Sequence, residues 1–253
     1  MTHMNDLKFK ERFALKIQYM AGWVTLPFWS TLLIALMRFV GRYRIQHLRE
    51  IRRYYKNLKR TVEGPILLCS NHLTKIDSLI LNWSLASTWS YMKSFKIFSW
   101  NLPERANFYQ NYILRTLCYV GSCVPIDRGG SREAVKKSLD KVTYLLRKGH
   151  TVTVFPEGGR SRTGRIQEDK FTYGVGRLVN KVSNCHVLCV YLRGHNQKNY
   201  SDIPHKGARF YMNMELFKPE SAYSGLRATR DVANQIAGRL VRMEQAYFAA
   251  AGQ

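Results

Sequence analysis

The sequence predicts an α/β domain, a mainly parallel sheet flanked by helices, with a helical segment ahead of it. Two observations carry this. From Gly64 onward, short apolar runs alternate with stretches at helical spacing, the rhythm of strand–helix–strand units. Three of those runs also end abruptly in polar residues, as strands do at the carboxyl edge of a parallel sheet, where sites gather. A chain of 253 residues, 45% of them hydrophobic, can bury the core such a domain needs.

The division expected is residues 1–60 as basic and apolar helices and residues 61–253 as the α/β domain. The first segment carries 13 Lys and Arg against 3 acids, a net of +10. It also holds the longest uncharged run, Ile17 to Met37. Pro27 should kink or divide that run, because proline lacks the N–H a helix interior uses. Two helices are therefore expected, about Leu7–Leu26 and Pro27–Phe39, with basic flanks (Lys8, Lys10, Arg12 and Lys16, then Arg38, Arg42 and Arg44). The basic stretch Arg49–Arg60 reads as an amphipathic helix. No cleavable secretory signal is read in this segment.

In the body, Pro65–Ser70 reads as a strand and Ser78–Ser87 as a helix. Ser90–Trp100 reads as extended, because Phe95 and Ile97 alternate with polar positions. Asn107–Tyr119 reads as a helix and Val120–Asp127 as a strand with its exit loop. Ser131–Lys148 is a helix that Ser131 can cap and Gly149 can end, with Leu139, Val142, Leu145 and Leu146 at helical spacing. Thr151–Gly158 is a buried strand running into a turn. Cys185–Gly194 and Ala208–Phe217 are strands, and Leu226–Ala250 closes the chain as a helix.

The formal net charge is +23, which predicts attraction to a polyanion. Basic residues beside a long apolar run rich in Trp, Phe and Tyr suit the anionic face of a membrane. No zinc-finger spacing, RNA-binding strand signature or basic zipper is present, so nucleic acid is not the expected partner. The expectation is a membrane-binding helical start lying in the interface on the cytoplasmic face, in preference to a single span or a soluble hairpin. Cys69, Cys118, Cys123, Cys185 and Cys189 match no zinc spacing and read as reduced thiols of a cytosolic compartment.

The three polar strand ends are "NHLTKID" (Asn71–Asp77), "PIDRGG" (Pro125–Gly130) and "FPEGGRSRTG" (Phe155–Gly164). His72 suits proton removal near neutral pH, and Asp77 can hold its imidazole in one tautomer and stabilise the imidazolium. No G-x-S-x-G elbow is present, so no protein nucleophile is indicated. The base can then activate a substrate hydroxyl. Arg128, Arg160 and backbone amides near glycines are suited to phosphate.

In this order the motifs resemble those of the glycerophospholipid acyltransferase family, the lysophosphatidic acid acyltransferase-like enzymes. The four blocks are Asn71-His72…Asp77, "VPIDRGG" with Arg128, "FPEGGRS" at Phe155–Ser161, and "HVLCVYLRG" at His186–Gly194. The resemblance implies His72 as general base, Asp77 as its orienting partner, and direct attack of the acceptor hydroxyl on an acyl thioester. It implies substrate binding at Asn71, Arg128, Glu157, Gly158 and Arg160, with Arg128 on the acceptor phosphate. It further implies acyl-CoA or acyl-carrier protein as co-substrate, a hydrophobic tunnel for the acyl chain, and neither metal nor other cofactor. The acceptor it suggests first is 1-acylglycerol-3-phosphate. Three departures bear on the acceptor: Gly159 in place of the usual threonine, no proline in the fourth block, and the long segment Ser99–Arg115. An ornithine lipid, lysophosphatidylglycerol or a specialised lipid are the other acceptors. Water in place of the alcohol would give a thioester hydrolase, and a non-catalytic basic binding module is the third reading.

Overall fold

The computed structural model describes residues 7–167, 171–195 and 197–250. A six-stranded sheet forms the centre. Its strands are β1 (Arg44–Ile45), β2 (Ile66–Ser70), β3 (Trp100–Asn101), β4 (Val152–Val154), β5 (His186–Gly194) and β6 (Arg209–Phe217). They lie in the order β1-β6-β5-β2-β4-β3. All neighbours are parallel except β5 and β6, which run antiparallel over eight paired residues from Val187↔Phe217 to Gly194↔Phe210. Every residue of β2 is buried. It is covered on both faces, which is why it reads as an unbroken apolar run. Leu67 and Cys69 face one core layer, with α7 (Arg132–Arg147), α8 (Gly174–Lys181) and α9 (Gly225–Ala250). Ile66 and Leu68 face the other, with α2 (Leu48–Thr61) and α3 (Asp77–Leu85). Helix α7 starts as expected, with the Ser131 hydroxyl accepting from the Ala134 N–H at 3.2 Å.

The N-terminal segment departs from expectation. Pro27 does not divide it. One helix, α1, runs unbroken from Phe9 to Ala35 and passes into a π-helical turn, Leu36–Val40, that ends where the Gly41 N–H donates to the Leu36 carbonyl at 2.9 Å. A proline inside a helix costs about 3 kcal/mol. Packing offsets it here: Leu15, Gln18, Gly22, Leu26 and Ser30 form one continuous buried face, and the Ser30 and Thr88 hydroxyls pair at 3.0 Å. The stretch Phe9–Val40 is long and apolar enough to cross a membrane by length and composition.

Ser90–Trp100 is also not extended. It forms α4 (Thr88–Lys93) and a 3₁₀ turn at Phe95–Ile97, and only Trp100 joins a strand. The cause is a helical apolar spacing that outranks the alternation: Tyr91, Phe95 and Phe98 gather against Leu26 of α1, and the Ser87 hydroxyl caps α4 by accepting from Ser90 N. Asn107–Tyr119 is two pieces, α5 (Arg105–Phe108) and α6 (Tyr112–Val120). Val120–Asp127 is not a strand. Ser122 takes a positive φ of 56° and Pro125 has no N–H to give, so only isolated bridges at Cys123 and Ile126 attach the stretch to the sheet edge. The edge strand β1 and helix α8 were not anticipated. Because β1 pairs with β6, the segment before residue 60 contributes to the sheet itself.

Candidate active site

The site forms where β2, β3 and β4 end side by side. The chain leaves β2 at Ser70 and places Asn71 and His72 in the next two positions. The Asn71 amide donates to the Leu192 carbonyl at 2.9 Å and accepts from the Leu192 N–H at 2.8 Å. It therefore extends the β2–β5 ladder with a side chain in place of a peptide. Asn71 is 2% exposed, and these two bonds fix the position from which His72 leaves the strand.

Asp77 is the first residue of α3 and is 3% exposed. Its Oδ2 accepts from the Leu73 N–H at 2.6 Å and the Thr74 N–H at 2.8 Å. Its Oδ1 accepts from the Thr74 hydroxyl at 2.5 Å. His72 Nδ1 lies 3.0 Å from the same Oδ2. A carboxylate gripped this way fixes the imidazole with Nδ1 as donor, which leaves Nε2 with its lone pair free. Among the described residues Nε2 has no hydrogen-bond partner, and the side chain is 18% exposed. The ring stacks on Phe155 with centroids 4.2 Å apart. Phe155 opens the F-P-E-G block, yet its role as a platform for His72 was not read from sequence.

The rest of that block clasps the His72 backbone. Glu157 Oε1 accepts from the His72 N–H at 3.0 Å, and the Ser161 N–H donates to the His72 carbonyl at 2.9 Å. The turn between them needs Gly158: its φ is +67°, and a Cβ there would meet Thr172 at 2.9 Å. Burial, aided by the nearby carboxylates of Glu244 and Asp77, pushes the Glu157 carboxyl up to about 7, against the hydrogen bond from His72 that favours its charge. The folded protein thus holds a proton on Glu157 that the unfolded chain releases near the ordinary carboxylate value. Stability is lost as pH rises from that value toward 7. Glu157→Gln keeps an acceptor for the His72 N–H and removes this loss. Its melting temperature is expected to exceed that of the native protein by at least about 2 °C at pH 8. The gain should vanish below about pH 4.5; a gain equal at both pH values would show that ionisation is not its source.

Arg128 reaches the same turn from the loop that follows Asp127. Its guanidinium donates to the Gly158 carbonyl, and its Nε lies 3.3 Å from Glu104. The Arg128 N–H also donates to Glu104 at 3.0 Å. Burial lowers the guanidinium's pKa and the Glu104 charge opposes that. Glu104, in the loop after β3, was missed because no local pattern marks it. Arg160 points elsewhere. It donates to Asp202 at 2.5 Å, and Lys75 holds the other oxygen of that carboxylate at 2.7 Å. This pairing ties the arginine loop to the segment after β5. Asp202 was likewise invisible to sequence reasoning, since it lies 42 residues from Arg160. Among the described residues no group of three or more His, Cys, Asp or Glu side chains is placed to hold a metal ion.

The model of the Acyltransferase family fits residues 42–193, more than half of the chain. The chain belongs to that family, the glycerophospholipid acyltransferases. No curated protein matches the chain. All the expected site residues of this acyltransferase fall inside the matched stretch, whereas Asp202 and the buried Glu244 of α9 lie beyond it. Glu244 accepts from the Ile166 N–H at 3.2 Å and sits 3.5 Å from Arg165, so it anchors the far end of the arginine loop.

Proposed function

We propose that this acyltransferase moves a fatty acyl group from the thioester of acyl-CoA or acyl-carrier protein to the hydroxyl of a lysophospholipid. The acceptor this reading favours is 1-acylglycerol-3-phosphate. The observation that carries it is the His72–Asp77 pair with Nε2 left unpartnered beside a cationic turn. Nε2 takes the proton of the acceptor hydroxyl as its oxygen attacks the thioester carbonyl. Asp77 stabilises the imidazolium. The tetrahedral intermediate collapses with the C–S bond breaking, and the leaving thiolate takes the proton from Nε2. One C–O bond replaces one C–S bond, and the base is regenerated.

Arg128 receives the acceptor phosphate, exchanging its bond to the Gly158 carbonyl for charged oxygens. An apolar recess between α1 and α3, lined by Leu26, Trp29, Leu33, Leu79 and Trp83, encloses about 30 Å³, room for one water-sized group and not for an acyl chain. The buried face of α1 supports an interface-lying anchor over a span, because a helix packed on the domain along its length cannot also cross the bilayer. The cytoplasmic face is the side this reading assigns, where anionic lipid is richest.

The test is product analysis. The detergent-solubilised protein would be given palmitoyl-CoA and a panel of lysolipids, with products read by mass spectrometry beside His72→Ala. A His72-dependent diacyl phospholipid is expected. Free fatty acid released at the same rate with and without acceptor would replace transfer by thioester hydrolysis. Arg128→Met should raise KM for phosphate-bearing acceptors by at least about tenfold while leaving KM for acyl-CoA nearly unchanged. An equal rise for both substrates would remove the phosphate role.

A further inference from the structure

We infer that α6 is a second membrane-docking element, which together with α1 forms one apolar platform for an anionic lipid surface. This extends the anchor reading above and concerns residues the anchor did not include. Helix α6 has no buried residue. Tyr112 is 81% exposed and Ile113 68%, and Leu114, Leu117 and Tyr119 are also exposed. A nine-residue helix that buries nothing has no reason in the fold itself to carry five large apolar or aromatic side chains. The Asn111 side chain nonetheless caps it, accepting from Ile113 N at 2.8 Å and Leu114 N at 3.2 Å, so its first turn is formed without any buried side chain.

Its placement relative to α1 is fixed. Gly22 of α1 lets the end of α6 approach so closely that a Cβ there would meet the Val120 carbonyl at 2.9 Å. The Gln18 amide donates to the carbonyls of Tyr119 at 3.1 Å and Cys123 at 2.9 Å. These contacts use the buried face of α1. The other face presents Phe9, Phe13, Ile17, Met20, Val24 and Phe28 to solvent at steps of three and four residues, a single stripe along the helix. The two exposed apolar surfaces therefore belong to one rigid body.

Charge selects the occupant. Residues 7–44 carry seven Lys and Arg and one acid, and residues 105–123 carry two arginines and no acid. The one acid, Glu11, is turned to Lys137 at 3.4 Å and Lys141 at 4.0 Å. The exposed apolar surfaces thus carry a cationic border with no free carboxylate. A second copy, at +23, would be repelled; an anionic leaflet is attracted, and the exposed Trp23, Tyr112 and Tyr119 suit its headgroup depth.

The experiment is flotation of the purified 253-residue chain with vesicles of phosphatidylcholine containing phosphatidylglycerol. Ile113→Glu with Leu117→Glu is compared with Leu226→Glu, a still more exposed leucine at the start of α9. The α6 double variant should lower vesicle partition by about tenfold or more, since binding follows buried apolar area. Leu226→Glu should float like the native chain, and both should keep native activity on detergent-dispersed lysolipid. Native flotation by the α6 variant, with loss only for Phe13→Glu with Phe28→Glu, would confine docking to α1 and overturn the inference. A change of molecular mass in light scattering without any change in flotation would overturn it in favour of self-association. Loss of acyl transfer by every protein on dispersed substrate would instead count against the proposed reaction and leave the flotation result standing.

Discussion

His72→Ala is expected to lower acyl transfer by about 10²–10⁴-fold, the range for loss of a positioned general base, with little change in melting temperature. The imidazole contributes one face to Phe155 and one nitrogen to Asp77, and is otherwise free. What holds the segment is the His72 backbone, through Glu157 and Ser161, and alanine keeps both peptide groups. Initial rates of diacyl product at saturating thioester, with thermal melts of both proteins, check the expectation. Activity within tenfold of native would mean that the hydroxyl ionises without this base, and the proposed chemistry would lose its centre. A large fall in melting temperature would reassign the loss to folding. His72→Gln sharpens the comparison: glutamine can donate a hydrogen bond to Asp77 but offers no titratable nitrogen to the substrate, so it should be as inactive as alanine.

Two of the three expected polar strand ends, those after β2 and β4, were legible because their neighbours are not polar. A doubly covered parallel strand must be apolar throughout, so "ILLCS" followed by "NH" marks the edge where the chain leaves the core. The Ser131 cap was legible for a similar local reason. Pairings set by tertiary approach were not. Asn71 looks like a binding residue in a motif, and only the arrival of β5 alongside shows that its amide completes a ladder. Asp202 and Glu104 act on Arg160 and Arg128 across loops that carry no pattern of their own. The break expected at Pro27 weighed a local cost that is real, but the burial of Leu26 and its neighbours exceeds it. In the same way the alternation of Phe95 and Ile97 competed with the helical spacing of Tyr91, Phe95 and Phe98, and α1 decided between them.

Asp77→Asn should fold and fail, and it separates charge from shape. The asparagine oxygen can take the place of Oδ2 and accept from Leu73 N and Thr74 N as the carboxylate does. Its NH₂ then faces the Thr74 hydroxyl, which rotates to accept where it had donated. The hydrogen bonds survive and the negative charge does not. The imidazolium formed during proton abstraction loses its counter-charge in a site where Asp77 is 3% exposed. Acyl transfer is expected to fall by about 10²–10⁴-fold, with the melting temperature near native. Asp77→Ala should be as inactive but also less stable, because each N–H it orphans costs about 1–3 kcal/mol when buried. Asparagine retaining more than a tenth of native activity would reduce Asp77 to a cap for the loop before α3. If His72 and Asp77 act as one unit, the double variant His72→Ala with Asp77→Asn should be no slower than His72→Ala alone, since a carboxylate that works through the imidazole has nothing to stabilise once the imidazole is gone. A further loss in the double variant would place Asp77 in contact with the reaction by a route that does not pass through His72.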